Sequence, residues 1–118
     1  MSVYDKAHRL ARSIRESDEY NEYQKIRSKV LNDEKAAKML KDYQQQEINI
    51  QTKTLSGKEI SEEEKKKLEN LLKIIELNQD IKTYLEKEHR MNILINDLQK
   101  ILFADLEMGI YDFAEDEM

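Results

Sequence analysis

The chain has 118 residues, 38% of them charged and 7% aromatic, with two glycines and no proline, cysteine or tryptophan. That length without an internal repeat fits one domain, and a Pro-free chain rich in Ala, Glu, Lys, Leu, Arg and Gln is what a helical bundle uses. The missing cysteines exclude disulfides, thiolate-bound zinc and protein-held iron-sulfur clusters, and no cofactor is expected.

The net charge of -5 is unevenly placed, because residues 105–118 hold six acids and no base. The other 104 residues carry 20 bases against 19 acids, or +1. Mean hydropathy is low at -0.86, yet apolar residues recur at helical spacing from residue 3 to 104, a pattern a disordered chain has no reason to keep. No apolar run approaches the roughly 20 residues of a membrane span, and the opening M-S-V-Y-D-K-A-H-R-L has no secretory h-region. The expectation is a soluble cytoplasmic protein without a membrane partner.

Ser2 and Asp5 form a variant capping box that opens a first helix over about 3–16. Val3, Ala7, Leu10, Ala11 and Ile14 share one face of it, and Lys6, Arg9, Arg12 and Arg15 another. Ser17 or Asp18 caps a second helix carrying Tyr20, Tyr23, Ile26, Val30 and Leu31. It ends near Asn32, where Asn32-Asp33-Glu34 reads as a further cap. With no Gly or Pro there, residues 17–56 form either two helices or one kinked helix. The segment 33–56 carries Ala36, Leu40, Tyr43, Glu47 and Ile50 on one stripe, which turns polar towards its end.

In L-S-G-K-E-I-S-E-E-E, residues 55–64, Gly57 stops this helix and Ser61 with Glu64 starts the next through a Ser-x-x-Glu capping box. So short a connection makes the flanking helices antiparallel. The return, 61–77, has Leu68, Leu71, Leu72 and Ile75 as its seam. Glu62 with Lys66 and Glu63 with Lys67 stand at favourable i,i+4 spacing. Asn78 caps a last helix expected over 79–108, with Gly109 at its C-terminus. Ile81, Tyr84, Glu88, Met91, Ile95, Leu98 and Leu102 fall at a and d spacing along it. Thirty residues make a rod of roughly 45 Å, longer than a compact globule of this size, whose radius of gyration is about 13 Å.

The predicted architecture is all-α: an elongated antiparallel hairpin or bundle of four to five helices, oligomeric, with residues 1–108 as one helical domain and 109–118 as an acidic tail. The tail, with Ile110, Tyr111 and Phe113 among acids, is either a solubilising end or a linear motif that folds onto a partner. The face Met91, Leu94, Ile95, Leu98, Ile101, Leu102 and Phe103 is the candidate for binding a second copy or another protein. The alternative is that the first helix covers this face within the monomer. Glu88, an acid at an a position, pairs with a base or a tyrosine hydroxyl of a neighbouring helix, or sits at a solvated edge of the seam; it is the candidate specificity residue.

No catalytic constellation is present: there is no Gly-x-Ser-x-Gly elbow and no glycine-rich phosphate loop, so no enzyme is expected. Two other readings stand beside an adaptor. One is an RNA-associated factor using the Arg9, Arg12, Arg15 row, although residues 1–30 sum only to +2 and nucleic-acid binding is not the expectation. The other is a carboxylate-histidine metal protein built on Asp5/His8 or Glu86/His89, of which the second pair falls away from the seam.

The ordered blocks V-Y-D-K-A-H-R-L-A-R-S-I-R-E-S-D-E-Y-N-E-Y, D-E-K-A-A-K-M-L-K-D-Y-Q, S-G-K-E-I-S-E-E-E and I-K-T-Y-L-E-K-E-H-R-M-N-I-L-I-N-D-L-Q-K-I resemble the YlbF/YmcA family of small bacterial helical proteins over about residues 3–104. Within it the chain looks most like the uncharacterised YheA-type branch. The resemblance implies an all-helical cytoplasmic oligomer of a Firmicutes-like bacterium. For the better-known branch it implies regulation, with a third partner, of ribonuclease Y-dependent mRNA processing, competence, sporulation and biofilm formation. That branch holds iron-sulfur clusters through cysteines, which this chain lacks, so the cluster-dependent role does not carry over.

Overall fold

The chain turns four times within 106 residues, and three of those turns are only two residues long. In the computed structural model, which describes residues 2–107, the helices are α1 (Val3–Arg15), α2 (Asp18–Leu31), α3 (Glu34–Leu55), α4 (Glu62–Glu76) and α5 (Gln79–Phe103). No strand occurs among the described residues.

Each helix starts on a side-chain oxygen, those of Ser2, Ser17, Asp33, Ser61 and Asn78, which accepts an N–H that helix geometry leaves unpaired. Asp33 Oδ1 takes both Lys35 N at 3.1 Å and Ala36 N at 3.3 Å. Residues 17–56 are therefore two helices. Ser17 also donates its hydroxyl to the Ile14 carbonyl at 2.6 Å, tying the end of α1 to the start of α2.

Gly57 has φ of 73°, the left-handed conformation that strains a residue with a Cβ. Its N–H donates to the Thr54 carbonyl at 3.2 Å and that of Lys58 to the Lys53 carbonyl at 2.9 Å, a Schellman closure of α3. Only half of the expected Ser61 capping box forms. Glu64 N donates to Ser61 Oγ at 3.1 Å, but the Glu64 carboxylate reaches across the hairpin to Lys53. That ammonium, first among several causes, holds the Glu64 carboxyl below its usual range. In the following turn the ion pair that forms is Glu62 with Lys65, 3.4 Å, at i,i+3.

α3 and α4 run antiparallel, as expected from the short turn. A second antiparallel pair is α2 with α5, fixed at one end by Lys29–Asp80 at 3.4 Å and at the other by Lys87–Glu22 at 2.8 Å. The two pairs meet where their elbows meet, Asn32-Asp33 between α2 and α3 and Leu77-Asn78 between α4 and α5. There Val30, Ala36, Leu40, Ile75, Ile81 and Tyr84 form the buried cluster, with Tyr23, Ile26, Met39, Tyr43 and Leu85 packed around it. The core thus lies at the base of the α3–α4 hairpin, and Leu55 near its tip is exposed. The polar trend of α3 foretells this. Gln46 departs from the pattern, being buried with Oε1 unpaired.

The radius of gyration is 18.2 Å, well above the value of about 13 Å for a compact globule of this length. Extents of 52 × 37 × 16 Å describe a flat, broad body rather than a rod, because the chain lays two hairpins base to base. One boundary differs from expectation: α5 stops at Phe103 with Ala104 as its C-cap, not at residue 108. Asp105 and Glu107 would put negative charge on the negative end of the helix dipole, and Lys100 is the one base in the last turn. Gly109 and the acidic tail 109–118 lie outside the described residues.

Candidate interaction surface

At the junction, Tyr84 of α5 meets Tyr23 of α2 with ring centroids 5.6 Å apart and tilted by 35°. Their hydroxyls stand 3.5 Å apart, and Tyr84 donates to Glu88 Oε2 at 2.8 Å. Glu88, half-buried at its a position, is thus matched by a tyrosine hydroxyl one turn earlier on its own helix. Burial pushes the Tyr84 phenol well above its ordinary value, reinforced by Tyr23 and Glu88. Tyr43 of α3 is raised for the same first reason, with Glu47 and then Glu88 adding to it. These phenols stay neutral inside a packing contact. The Tyr23–Tyr84 contact escaped sequence reasoning, although the complementary pairs Glu22/Lys87 and Lys29/Asp80 specify the register that creates it.

Beyond Arg90 the surroundings of α5 thin out. Of the seven residues proposed for binding, Met91, Leu94, Leu98 and Phe103 are half-buried, while Ile95, Ile101 and Leu102 are exposed, the last two at 73% and 54%. α1 and the first turn of α2 border this half. Leu10 and Ile14 face Ile93, Leu94 and Leu98 across an open groove of about 480 Å³, edged by Glu19, Arg90 and Asp97. The first helix therefore covers the apolar face in part and leaves it unfilled.

α1 itself is well formed and poorly packed. Both halves of its Ser2–Asp5 capping box are present, its last turn carries Arg12 and Arg15, and none of its residues is buried. Val3 and Tyr4 are 80% and 79% exposed. Lys6, Arg9, Arg12 and Arg15 make no ion pair among the described residues, whereas the ion pairs formed lie on α2 to α5.

The remaining candidates are scattered. Glu86 and His89 are exposed, as are Asp5 and His8, and among the described residues no three His, Cys, Asp or Glu side chains converge as a metal site would need. Gly57 and Ser61 are exposed at the far end of the α3–α4 hairpin and serve as a turn. No helix among the described residues is long and apolar enough to cross a membrane.

Comparison with known proteins bears on family and fold. The family described as "Control of competence regulator ComK, YlbF/YmcA" matches residues 3–107. A UPF0342 protein of Halothermothrix orenii is 52% identical over 93% of each chain. Another, from Symbiobacterium thermophilum, is 37% identical over 92% of this chain and 96% of its own. A protein of unknown function (DUF964) from Bacillus stearothermophilus shares the fold, with a TM-score of 0.76 over 88% of this chain and 91% of that one, at 21% identity.

Proposed function

The chain belongs to the YlbF/YmcA family of competence-regulator control proteins, and we propose that it acts as a non-enzymatic, oligomeric adaptor in bacterial regulation, working through protein contacts. The observation that carries this reading is the distal surface. Ile95, Ile101 and Leu102 stay exposed along distal α5, beside the open groove that Leu10 and Ile14 of α1 form with Leu94 and Leu98. An apolar face left open in this way is what a binding surface presents. The junction, by contrast, holds its polar groups in mutual hydrogen bonds, as a structural core does. The family description adds regulation of competence as the setting, and mRNA processing and development are its extensions.

The test is genetic and uses the whole chain in a bacterial host deleted for it. Deletion alters the abundance of transcripts under competence and developmental control, and the wild-type chain restores them. A Leu98→Glu/Leu102→Glu variant, present at the same level and equally helical, does not. Full restoration by that variant, or no transcript change on deletion, overturns the reading.

A further inference from the structure

No helix among the described residues is built to cross a membrane, but a helix that lies along a lipid surface has a different requirement. It needs an apolar arc, a polar face rich in Lys and Arg, and freedom from the rest of its own protein. α1 meets all three. On a helix turning by about 100° per residue, Val3, Tyr4, Ala7, Leu10, Ala11 and Ile14 fall within one arc of roughly 120°. Lys6 and Arg15 stand at the two edges of that arc, and Arg9 and Arg12 lie behind it.

Charge separates α1 from the other helices. Its four bases against the single acid Asp5 give it +3, whereas each of α2 to α5 lies between -1 and +1. Asp5 is engaged in the capping box, its carboxylate accepting Ser2 N at 3.4 Å. Attachment to the body is slight. Val3, Tyr4 and Ala7 are exposed, and Leu10, Ala11 and Ile14 are only half-buried. Both ends of α1 close on the helix itself, through the Ser2–Asp5 box and through Glu16 N, which donates to the Arg12 carbonyl at 2.9 Å. Beyond the elbow at Glu16-Ser17, no hydrogen bond or ion pair among the described residues joins α1 to another helix.

We infer that α1 is a surface anchor for membranes of anionic lipid, lying in the headgroup plane with its apolar arc towards the acyl chains. Val3 and Tyr4 enter first, because they are exposed. The helix then turns about the Glu16-Ser17 elbow, and lipid gives Leu10, Ala11 and Ile14 the apolar cover that the open groove supplies only in part. Lys6 and Arg15, at the edges, lay their aliphatic stems along the boundary and lift their charges to the headgroups. Arg9 and Arg12 add attraction to a negative surface within a Debye length, about 10 Å at 0.1 M salt. Tyr4 has the apolar ring and polar tip that suit headgroup level. An RNA would use the basic side alone and leave the apolar arc without a partner, whereas an anionic lipid surface uses both. So short a helix binds reversibly, with lipid charge as the necessary second signal. The inference goes beyond the protein contacts proposed above and does not depend on them.

Vesicle flotation of the whole chain tests this. The wild type binds phosphatidylglycerol vesicles at least about tenfold more tightly than phosphatidylcholine vesicles, and added salt weakens the binding. Arg9→Gln/Arg12→Gln/Arg15→Gln removes the charge, Val3→Ser/Tyr4→Ser removes the leading apolar end, and each weakens binding to phosphatidylglycerol about tenfold. No residue of α1 is buried, so both variants keep wild-type far-UV circular dichroism and urea midpoints. The chain has no tryptophan, which makes Tyr4→Trp a sole reporter. Its emission shifts to the blue on phosphatidylglycerol vesicles, and acrylamide quenches it less.

Absence of binding to either lipid, or equal binding to both, overturns the inference. Binding that Val3→Ser/Tyr4→Ser leaves intact, or a tryptophan that stays open to acrylamide on the vesicle, also overturns it, because charge attraction without insertion then accounts for the contact. Polyuridylic acid bound through the same arginines in preference to phosphatidylglycerol overturns it in favour of RNA. Flotation reads purified protein and the test of the proposed function reads transcripts in a host, so either reading can fail while the other stands.

Discussion

Ile81 and Leu102 stand on one stripe of one helix, three heptads apart, and the first is 0% exposed while the second is 54% exposed. The stripe is continuous between them, through Tyr84, Glu88, Met91, Ile95 and Leu98. What changes is the number of neighbours. Around Ile81 the ends of α2 and α4 and the start of α3 converge, brought there by two elbows of two residues each. Leu102 has no place in that buried cluster. A heptad pattern states that a helix has a face to bury, and the count of elements arriving at each turn decides whether one chain buries it.

The largest effect expected from this contrast is on stability. Replacing a fully buried isoleucine by alanine removes packed methylenes and leaves a cavity, so Ile81→Ala should cost about 2–5 kcal/mol. Leu102→Ala, measured in urea where the protein is monomeric, should stay within about 0.5 kcal/mol of wild type, as exposed positions do. Its cost should grow as concentration rises, because association stabilises the folded chain by mass action. Equal costs for the two substitutions in the dilute monomer would show that the distal half is packed after all.

A second, smaller effect separates the halves by pH. Tyr84 donates to Glu88 and stands against Tyr23 at the junction, so Tyr84→Phe should cost about 1–2 kcal/mol, the lost bond plus a half-buried carboxylate left without its donor. The phenols of Tyr84 and Tyr43 are raised above their ordinary value of 10.0 in the folded state. Below that value both folded and unfolded chains hold these protons, and the junction has its full stability. Above it the unfolded chain loses protons that the folded chain keeps, so stability falls as pH climbs past about 10. Denaturation midpoints followed from pH 8 to 11 should drop for wild type and drop less for Tyr84→Phe. An alkaline profile unchanged by the substitution would remove Tyr84 as the group responsible.

The legibility of the molecule follows the same division. Four helix starts were readable because their signals are local, side-chain caps at Ser2, Ser17, Ser61 and Asn78, as was the stop at Gly57, whereas Asn32-Asp33, without Gly or Pro, left open whether residues 17–56 form one kinked helix or two. The antiparallel α3–α4 hairpin was readable because four or five residues permit little else. The pairing of α2 with α5 was not, since residues such as Glu22 and Lys87 lie 65 positions apart and nothing local says which stripe meets which. Hence the chain reads as a rod from its pattern and folds as two hairpins meeting at their bases. The end of α5 was misjudged because Gly109 gave a clear stop signal, while the weaker effect of acids on the helix dipole had already ended the helix at Phe103. Within the candidate surface, the apolar residues of α5 were legible by period, but the share taken by α1 was not, because partial coverage depends on the angle at Ser17.

The smallest expected effect concerns two ion pairs between helices, Lys87–Glu22 on α5 and α2 and Lys53–Glu64 near the tip of the α3–α4 hairpin. Lys87, by hydrogen bond first and then by charge, holds the Glu22 carboxyl below its ordinary value of 4.5, and Lys53 does the same for Glu64. A carboxyl lowered in the folded state stabilises above the unfolded value and loses that contribution as pH falls through the folded one. Wild type should therefore lose stability as pH drops below about 4.5, and Lys87→Met and Lys53→Met should each lose slightly less. Salt should shrink both differences, more for Lys87–Glu22, whose carboxylate is exposed, than for the half-buried Lys53–Glu64. Denaturation midpoints followed from pH 7 to pH 3 at low and at high salt check both pairs: an acid loss that Lys87→Met leaves unchanged would remove the Glu22 pair as its source.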